Sequence, residues 1–240
     1  MVMPVSTSPL RPTRSSMKMV TSLHELVTIP FEDGINALCW PRTLPGNFHE
    51  VVEALPVGEG IVLVDEDLLA SLTLSDAGQT TRDILLADLA GLRAYDLQPE
   101  LDCVYGSERE EPEGLFHTDV ASWHVDTATV PADTVLCTYV GACSEGLPNE
   151  QAQRRVDVPG TRAELLRLYG GEDDAGFREY LADWFYDLHY VPLPDAQIYS
   201  FGTGNLWRVA IDHPGCAVPP CVHRAPLTLP GMTTRLLLIS

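Results

Sequence analysis

One lysine, Lys18, stands in the whole chain of 240 residues. Schiff-base chemistry and a phosphate-cradling P-loop each need a lysine in a shaped pocket. Lys18 instead falls within residues 1 to 22, a stretch of serine, threonine, proline and arginine without one acidic residue. Such a stretch buries too little surface to order itself, so a disordered tail is expected there. Both lysine chemistries are thereby excluded. Positive charge is scarce altogether: 15 basic residues face 34 acidic ones, for a net charge of -19. A surface of that sign repels phosphate backbones, so no nucleic-acid partner is expected. No apolar run approaches the ~18 residues of a membrane helix, and no membrane partner is expected either. The first residues also lack the continuous apolar core of a secretory leader. The six cysteines (39, 103, 137, 143, 216 and 221) are therefore read as reduced, in a cytoplasmic protein. No Cys-x2-Cys pair is present. Cys216 and Cys221 come nearest to a zinc spacing and read better as small buried hydrophobes.

What is present is a core-forming composition, 45% hydrophobic and 20% charged. A single domain over residues 23 to 240 is expected, with 23 to 113 as a support region of helices and strands and 114 to 240 as the core. Asn47 is placed to cap a helix from Phe48 to Leu55, and Gly60 to Val64 reads as a strand. Thr80 to Tyr95 sets Ile84, Leu85, Asp88, Leu89 and Leu92 at helical spacing. Thr134 to Val140 is β-branched and strand-like. Gly141 to Gly160 reads as a long polar loop. A helical insertion is expected from about 161 to 188: Thr161 with Glu164 forms a capping box, and Phe177, Tyr180, Leu181, Trp184, Phe185 and Leu188 form a core stripe. Short strands follow at 196–201, 206–211, 217–223 and 233–239, a rhythm that points to a sandwich or barrel of the jelly-roll type.

The chemistry centres on Trp123-His124-Val125-Asp126, since a histidine and a carboxylate one residue apart can grip the same metal ion. About a hundred residues on comes Cys221-Val222-His223-Arg224-Ala225-Pro226, and Arg235 follows His223 by twelve residues in Thr234-Arg235-Leu236-Leu237-Leu238-Ile239. Two imidazoles and one carboxylate on one side of an ion leave its other positions open, the arrangement suited to non-haem iron(II) oxygenases. At these residues the chain resembles the iron(II)/2-oxoglutarate-dependent oxygenase superfamily over roughly Gly114 to Ser240. The run His-Val-Asp, Thr138-Tyr139-Val140-Gly141, His-Arg-Ala-Pro and Arg-Leu-Leu-Leu also looks like that of a family of uncharacterised bacterial proteins.

The resemblance implies a mainly β fold with flanking helices around a double-stranded β-helix, a cupin-like jelly roll. It implies Fe(II) held by His124, Asp126 and His223, with 2-oxoglutarate and dioxygen as co-substrates and Arg235 on the far carboxylate of the keto acid. Tyr139 or Thr138 would add a hydroxyl, and because neighbouring strand residues point to opposite faces, only one can look inward; Tyr139 is favoured. Many superfamily members carry a serine two residues after the arginine, where this chain has Leu237. Phe116-His117-Thr118-Asp119 offers a rival His-x-Asp pair. Cys221 shares strand parity with His223 and is either a neighbour of the metal or packed, whereas Arg224 faces away, towards an ion pair. The histidines at 24, 49, 189 and 213 have no partner at ligand spacing. In the polar loop, expected over the cavity mouth, Glu145, Asn149, Gln151, Arg154 and Arg155 are the candidate contacts to a small-molecule substrate, the arginine pair suiting an acid such as an amino acid. Two other readings stay open: a cupin-like metal-dependent enzyme that does not use 2-oxoglutarate, and a non-catalytic barrel that binds a metal or a partner.

Overall fold

Twelve strands and six α-helices follow one another in the computed structural model, which describes residues 16–106, 109–227, 229, 231, 232 and 234–240. Before the His-x-Asp stretch come β1 (Met17–Met19), α1 (Leu23–Thr28), β2 (Ala37–Trp40), α2 (Phe48–Ala54), β3 (Ile61–Leu63), α3 (Glu66–Ser71), α4 (Asp76–Arg93) and β4 (Glu100–Val104). After it come β5 (Asp133–Val140), β6 (Glu145–Leu147), β7 (Ala152–Arg154), α5 (Pro159–Tyr169), α6 (Ala175–Asp183), β8 (Tyr190–Pro192), β9 (Tyr199–Ser200), β10 (Leu206–Ala210), β11 (Val222–Arg224) and β12 (Arg235–Ile239). The strands form a seven-stranded sheet in the order β1-β2-β10-β5-β12-β4-β3, a three-stranded sheet β11-β6-β9 and a pair β7-β8. Sheet forms the centre and helices flank it, as expected. Among the described residues the sheets stay separate and do not close into a barrel.

Alternation along three central strands decides which side chains meet the helices. Leu101 and Cys103 of β4, Val135 and Cys137 of β5, and Leu236 and Leu238 of β12 share one core with Leu26 of α1, Val51 of α2, Leu69 of α3 and Leu85, Leu89 and Leu92 of α4. The three α4 leucines lie within 2% of full burial, each worth roughly 1.5–3 kcal/mol over an exposed position. The residues between them, Asp102, Val104, Thr134, Leu136, Arg235 and Leu237, face the other way and line a cavity. A bulge between Leu236 and Leu237 gives β5 an extra residue, pairing Leu236 with Val140 and Leu237 with Thr138. Tyr139 and Val140 thus both join the helix-side core.

The support region is part of this layer. β2 pairs with β10, and β3 and β4 extend the sheet beyond β12. Of the tail expected over residues 1 to 22, residues 1–15 lie outside the described residues. Its remainder is ordered, since β1 pairs in parallel with β2 and Ser22 caps α1. Asn47 caps α2 as expected, while α4 starts ahead of Thr80, at Asp76, because Ser75 accepts from the Gly78 amide. The capping box at Thr161 does not form. Pro159, with φ already set for a helix, opens α5 instead, and Glu164 pairs with Arg167 at 2.7 Å. Phe177, Leu181 and Tyr186 pack with Phe116, Val156 and Leu165 in a satellite core around the helical insertion.

Candidate metal centre

His124 and His223 meet because their backbones exchange two hydrogen bonds, each amide donating to the other's carbonyl at 2.9 Å. That isolated antiparallel bridge adds the His124 segment to the edge of β11 and sets the two rings 4.7 Å apart between centroids. Asp126, two residues on in an extended segment, projects from the same face as His124. Each imidazole is oriented from behind: His124 Nδ1 lies 2.8 Å from the Ser122 carbonyl and His223 Nδ1 3.1 Å from the Cys221 carbonyl. Nδ1–H therefore donates backwards and Nε2 points to the centre with its lone pair. His124 Nε2 is 3.3 Å from Asp126 Oδ1, and His223 Nε2 is 3.6 Å from Asp126 Oδ2. All three donor atoms lie within 4.8 Å of one another. Ligands at about 2.1 Å from one ion, in adjacent positions, sit roughly 3 Å apart, so a small inward movement suffices. The cluster can hold a metal ion, and it is the only such group of three among the described residues.

Electrostatics follow from burial. Desolvation alone lowers the pKa of His124, but the Asp126 carboxylate and the Ser122 carbonyl outweigh it and the net shift is upward. His223 goes down, chiefly because it is buried. Burial opposes ionisation of Asp126, yet the two histidines and Thr134 hold its carboxyl well below the usual range. Thr134 on β5 donates to Asp126 Oδ2 at 2.6 Å, leaving the other oxygen for the centre. Such orienting partners are worth about 10- to 100-fold in metal affinity. Thr134→Val is expected to weaken metal binding by that factor in a competition titration against a chromophoric chelator, with the stoichiometry unchanged.

The rival pair is committed to other partners, although Asp119 lines the same cavity as His124 and Asp126. Asp119 takes a two-pronged contact from Arg109 at 2.8 and 2.9 Å and accepts from the amides of Ala121 and Ser122. His117, 3.7 Å from it, lines a different cavity, and the pair belongs to no group of three metal-donor side chains among the described residues.

Arg235 lines the same cavity of about 460 Å³ as the three donors. Its Nε donates to the Ala142 carbonyl at 2.8 Å, but Nη2 is buried and has no partner among the described residues. Only 3% of the residue is exposed, and burial lowers the pKa of its guanidinium. A desolvated cation with a bare amine is costly unless an anion meets it. Ser144, buried just before β6, lines the cavity too, and its hydroxyl has no partner among the described residues.

Four sequence expectations are corrected here. Tyr139 does not look inward: its hydroxyl donates to Asp88 of α4 at 2.6 Å, in the helix-side core. Thr138 is on the cavity face of β5, paired with Leu237, but is covered and does not line the cavity. The stretch 141–160 is not an open loop; it folds into β6, β7, two 3-10 turns and the start of α5. The five residues expected to contact a substrate, Glu145, Asn149, Gln151, Arg154 and Arg155, are committed to the fold instead and none lines the cavity. Glu145 pairs with Arg224 at 2.7 Å, directly across β6 and β11. Asn149 bridges Asn36 and the Pro220 carbonyl, and Gln151 accepts from the Gln197 amide. Arg154 donates to the Asp187 carbonyl, and Arg155 lies over the Phe116 ring at 4.0 Å. Cys221 packs with Phe201 and Trp207, and burial pushes its thiol up to about 12.

Sequence reasoning missed Thr134, Ser144 and Asp102, all of which line the cavity. Parity along β4 and β5 was the available signal for two of them, once the inward face was known. His189, read as ordinary, lies beside the centre: it bridges to His124 on the side away from His223, and its Nε2 is buried with no hydrogen-bond partner among the described residues. Compared with protein-family models, curated proteins and solved structures, the chain finds no match.

Proposed function

We propose that this protein is a non-haem Fe(II)- and 2-oxoglutarate-dependent oxygenase that oxidises a C–H bond of a small molecule. The observation that carries the reading is the bare, buried Arg235 amine in the same cavity as two imidazoles and a carboxylate. The donor set fits iron(II), which takes nitrogen and carboxylate ligands on one side and leaves positions open for co-substrates. Strand order supports a double-stranded β-helix core: β4-β12-β5-β10 lie side by side in one sheet, while the His124 segment, β11, β6 and β9 do so in the other. The chain passes repeatedly between the two sheets, as a jelly roll requires. All six cysteines are free, which fits a reducing cytoplasm, and among the described residues no helix is long and apolar enough to cross a membrane.

Bound iron(II) supplies the activation of dioxygen, one oxygen atom going to the C–H bond and the other to the keto acid, which leaves as succinate and carbon dioxide. The chain's own residues bind and orient. His124, Asp126 and His223 hold the ion, and Thr134 fixes which Asp126 oxygen faces it. Arg235 meets the far carboxylate of 2-oxoglutarate with a charge-assisted contact, Ser144 adding a hydroxyl. Leu136 and Leu237 form a dry wall beside the reacting groups, where electrostatic contacts gain strength.

Anaerobic Fe(II) loading followed by 2-oxoglutarate titration tests the reading through the visible charge-transfer band of a keto acid chelated to iron(II). Wild type is expected to develop the band, and Arg235→Ala to need about a hundredfold more 2-oxoglutarate, as the loss of a buried charge pair implies. Iron uptake without the band favours a metal enzyme of another kind, and absence of uptake favours a binding module.

A further inference from the structure

The cavity holds more charge than the proposed chemistry uses, and the surplus has one sign. Asp102, Arg109, Glu110, Asp119, Asp126 and Arg235 all line it. Arg109 and Asp119 close on each other at 2.8 Å. On the oxygenase reading Asp126 is taken by the metal and Arg235 by the keto acid. Asp102 and Glu110 remain, and neither makes a hydrogen bond or ion pair among the described residues. Asp102 is half-buried on the cavity face of β4, opposite Leu237 on one side and Leu63 on the other. Burial, with the charge of Glu100 adding to it, raises its pKa. A partly desolvated carboxylate between two leucines costs free energy and gains nothing within the fold.

The unpartnered Arg235 amine marks the cavity as a place where ligands complete the hydrogen bonding, and the sign of a ligand that answers Asp102 and Glu110 follows from their own charge. The net charge of -19 draws cations towards the protein and repels anions. Ile61, Val104, Val120 and Ile239 supply apolar wall, and about 460 Å³ falls within the roughly 300–1,000 Å³ of small-molecule sites.

We infer that the substrate is a small organic cation, an apolar body ending in a protonated amine or guanidinium, with its charged end held by Asp102 and guided in by Glu110. Asp102 faces Leu237, which in turn faces Thr138, so two interstrand spacings of about 4.8 Å separate it from β5. Asp126 is held by Thr134, four residues from Thr138 along β5, so the carbon that is oxidised lies several bonds from the charged end. This rests on the oxygenase reading for the roles of Asp126 and Arg235, and it reverses the acidic substrate expected from Arg154 and Arg155.

The test uses three probes of one length, n-hexylammonium, 1-hexanol and hexanoate, titrated calorimetrically and anaerobically into the full chain loaded with Fe(II) and 2-oxoglutarate. Hexylammonium is expected to bind at least about tenfold more tightly than either other probe, the scale of a charge-assisted contact. Asp102→Asn should erase that margin and Arg235→Ala should keep it. A preference for hexanoate, or an unchanged margin in a folded Asp102→Asn, overturns the inference. Should Asp102→Asn not fold, the wild-type margin decides: it must shrink between 20 mM and 500 mM salt, at about the rate expected for screened charges, and a salt-independent margin overturns the inference. Failure of 2-oxoglutarate to bind while hexylammonium keeps its margin upholds the cation site and removes the oxygenase reading alone.

Discussion

Asp126→Ala is expected to lose more than about a hundredfold in Fe(II) affinity, because even residues that merely orient a ligand cost 10- to 100-fold when removed. The carboxylate is the only anionic donor of the three, and both imidazole Nε2 atoms lie within 3.6 Å of it. Without it a doubly charged ion meets two neutral nitrogens in a largely buried setting, and the desolvation of the ion goes uncompensated. Anaerobic titration with a chromophoric chelator should find one ion per wild-type chain and almost none in the variant, whose circular dichroism should match wild type. His117→Ala is the companion measurement. His117 faces another cavity, so its removal should leave iron stoichiometric; loss of iron from His117→Ala with retention by His124→Ala would show that the wrong pair has been assigned.

The second large effect lies on the opposite side of the sheet. Asp88 of α4 receives Arg42 Nη1 at 2.7 and 2.8 Å and the Tyr139 hydroxyl at 2.6 Å. The Arg42 side chain is only 7% exposed, and Asp88 is its sole carboxylate partner among the described residues. Asp88→Ala leaves a buried guanidinium without its counter-charge and a buried hydroxyl without its acceptor, a class of change that costs about 3–5 kcal/mol. For a domain of this size that corresponds to a fall in Tm of roughly 6–20 °C. Urea unfolding followed by circular dichroism should show it, while iron stoichiometry at 10 °C stays at the wild-type value. Tyr139→Phe removes one hydrogen bond and should cost only about 1 kcal/mol. It should not alter 2-oxoglutarate binding. A weakened charge-transfer titration in Tyr139→Phe would contradict the placement of this hydroxyl in the helix-side core.

Tyr139 illustrates why part of the site could not be read from the chain alone. Alternation says that Thr138 and Tyr139 oppose each other, and nothing local says which looks inward. Pairing of β5 with β12, the bulge after Leu236 and the carboxylate of Asp88 on α4 decide it together, and all three come from distant segments. The polar stretch 141–160 misled for a related reason. Its sequence is turn-rich and charged, yet β6 finds partners in β9 and β11, β7 finds one in β8, and Glu145 finds Arg224 across the strands. Helices were more legible, because their hydrogen bonds are local and their apolar stripe needs only a face to bury; α2 and α4 differ from expectation at their ends alone.

The chain by itself determined which residues have donor chemistry: His124 and Asp126 share a face through a two-residue spacing, and His223 and Arg235 lie on short strands of their own. It also determined the apolar stripe of α4 and the acidic balance of the surface, whereas the stripe expected on the helical insertion held for Phe177 and Leu181 but not for Trp184 and Phe185, which lie past the end of α6 and are exposed. The tertiary structure alone decided that His124 and His223 exchange backbone hydrogen bonds, that Arg235 ends in a cavity with one amine unanswered, and that Asp102 joins it there. The physical reason is that a strand side chain takes its direction from register, and register is set by partners far away along the chain.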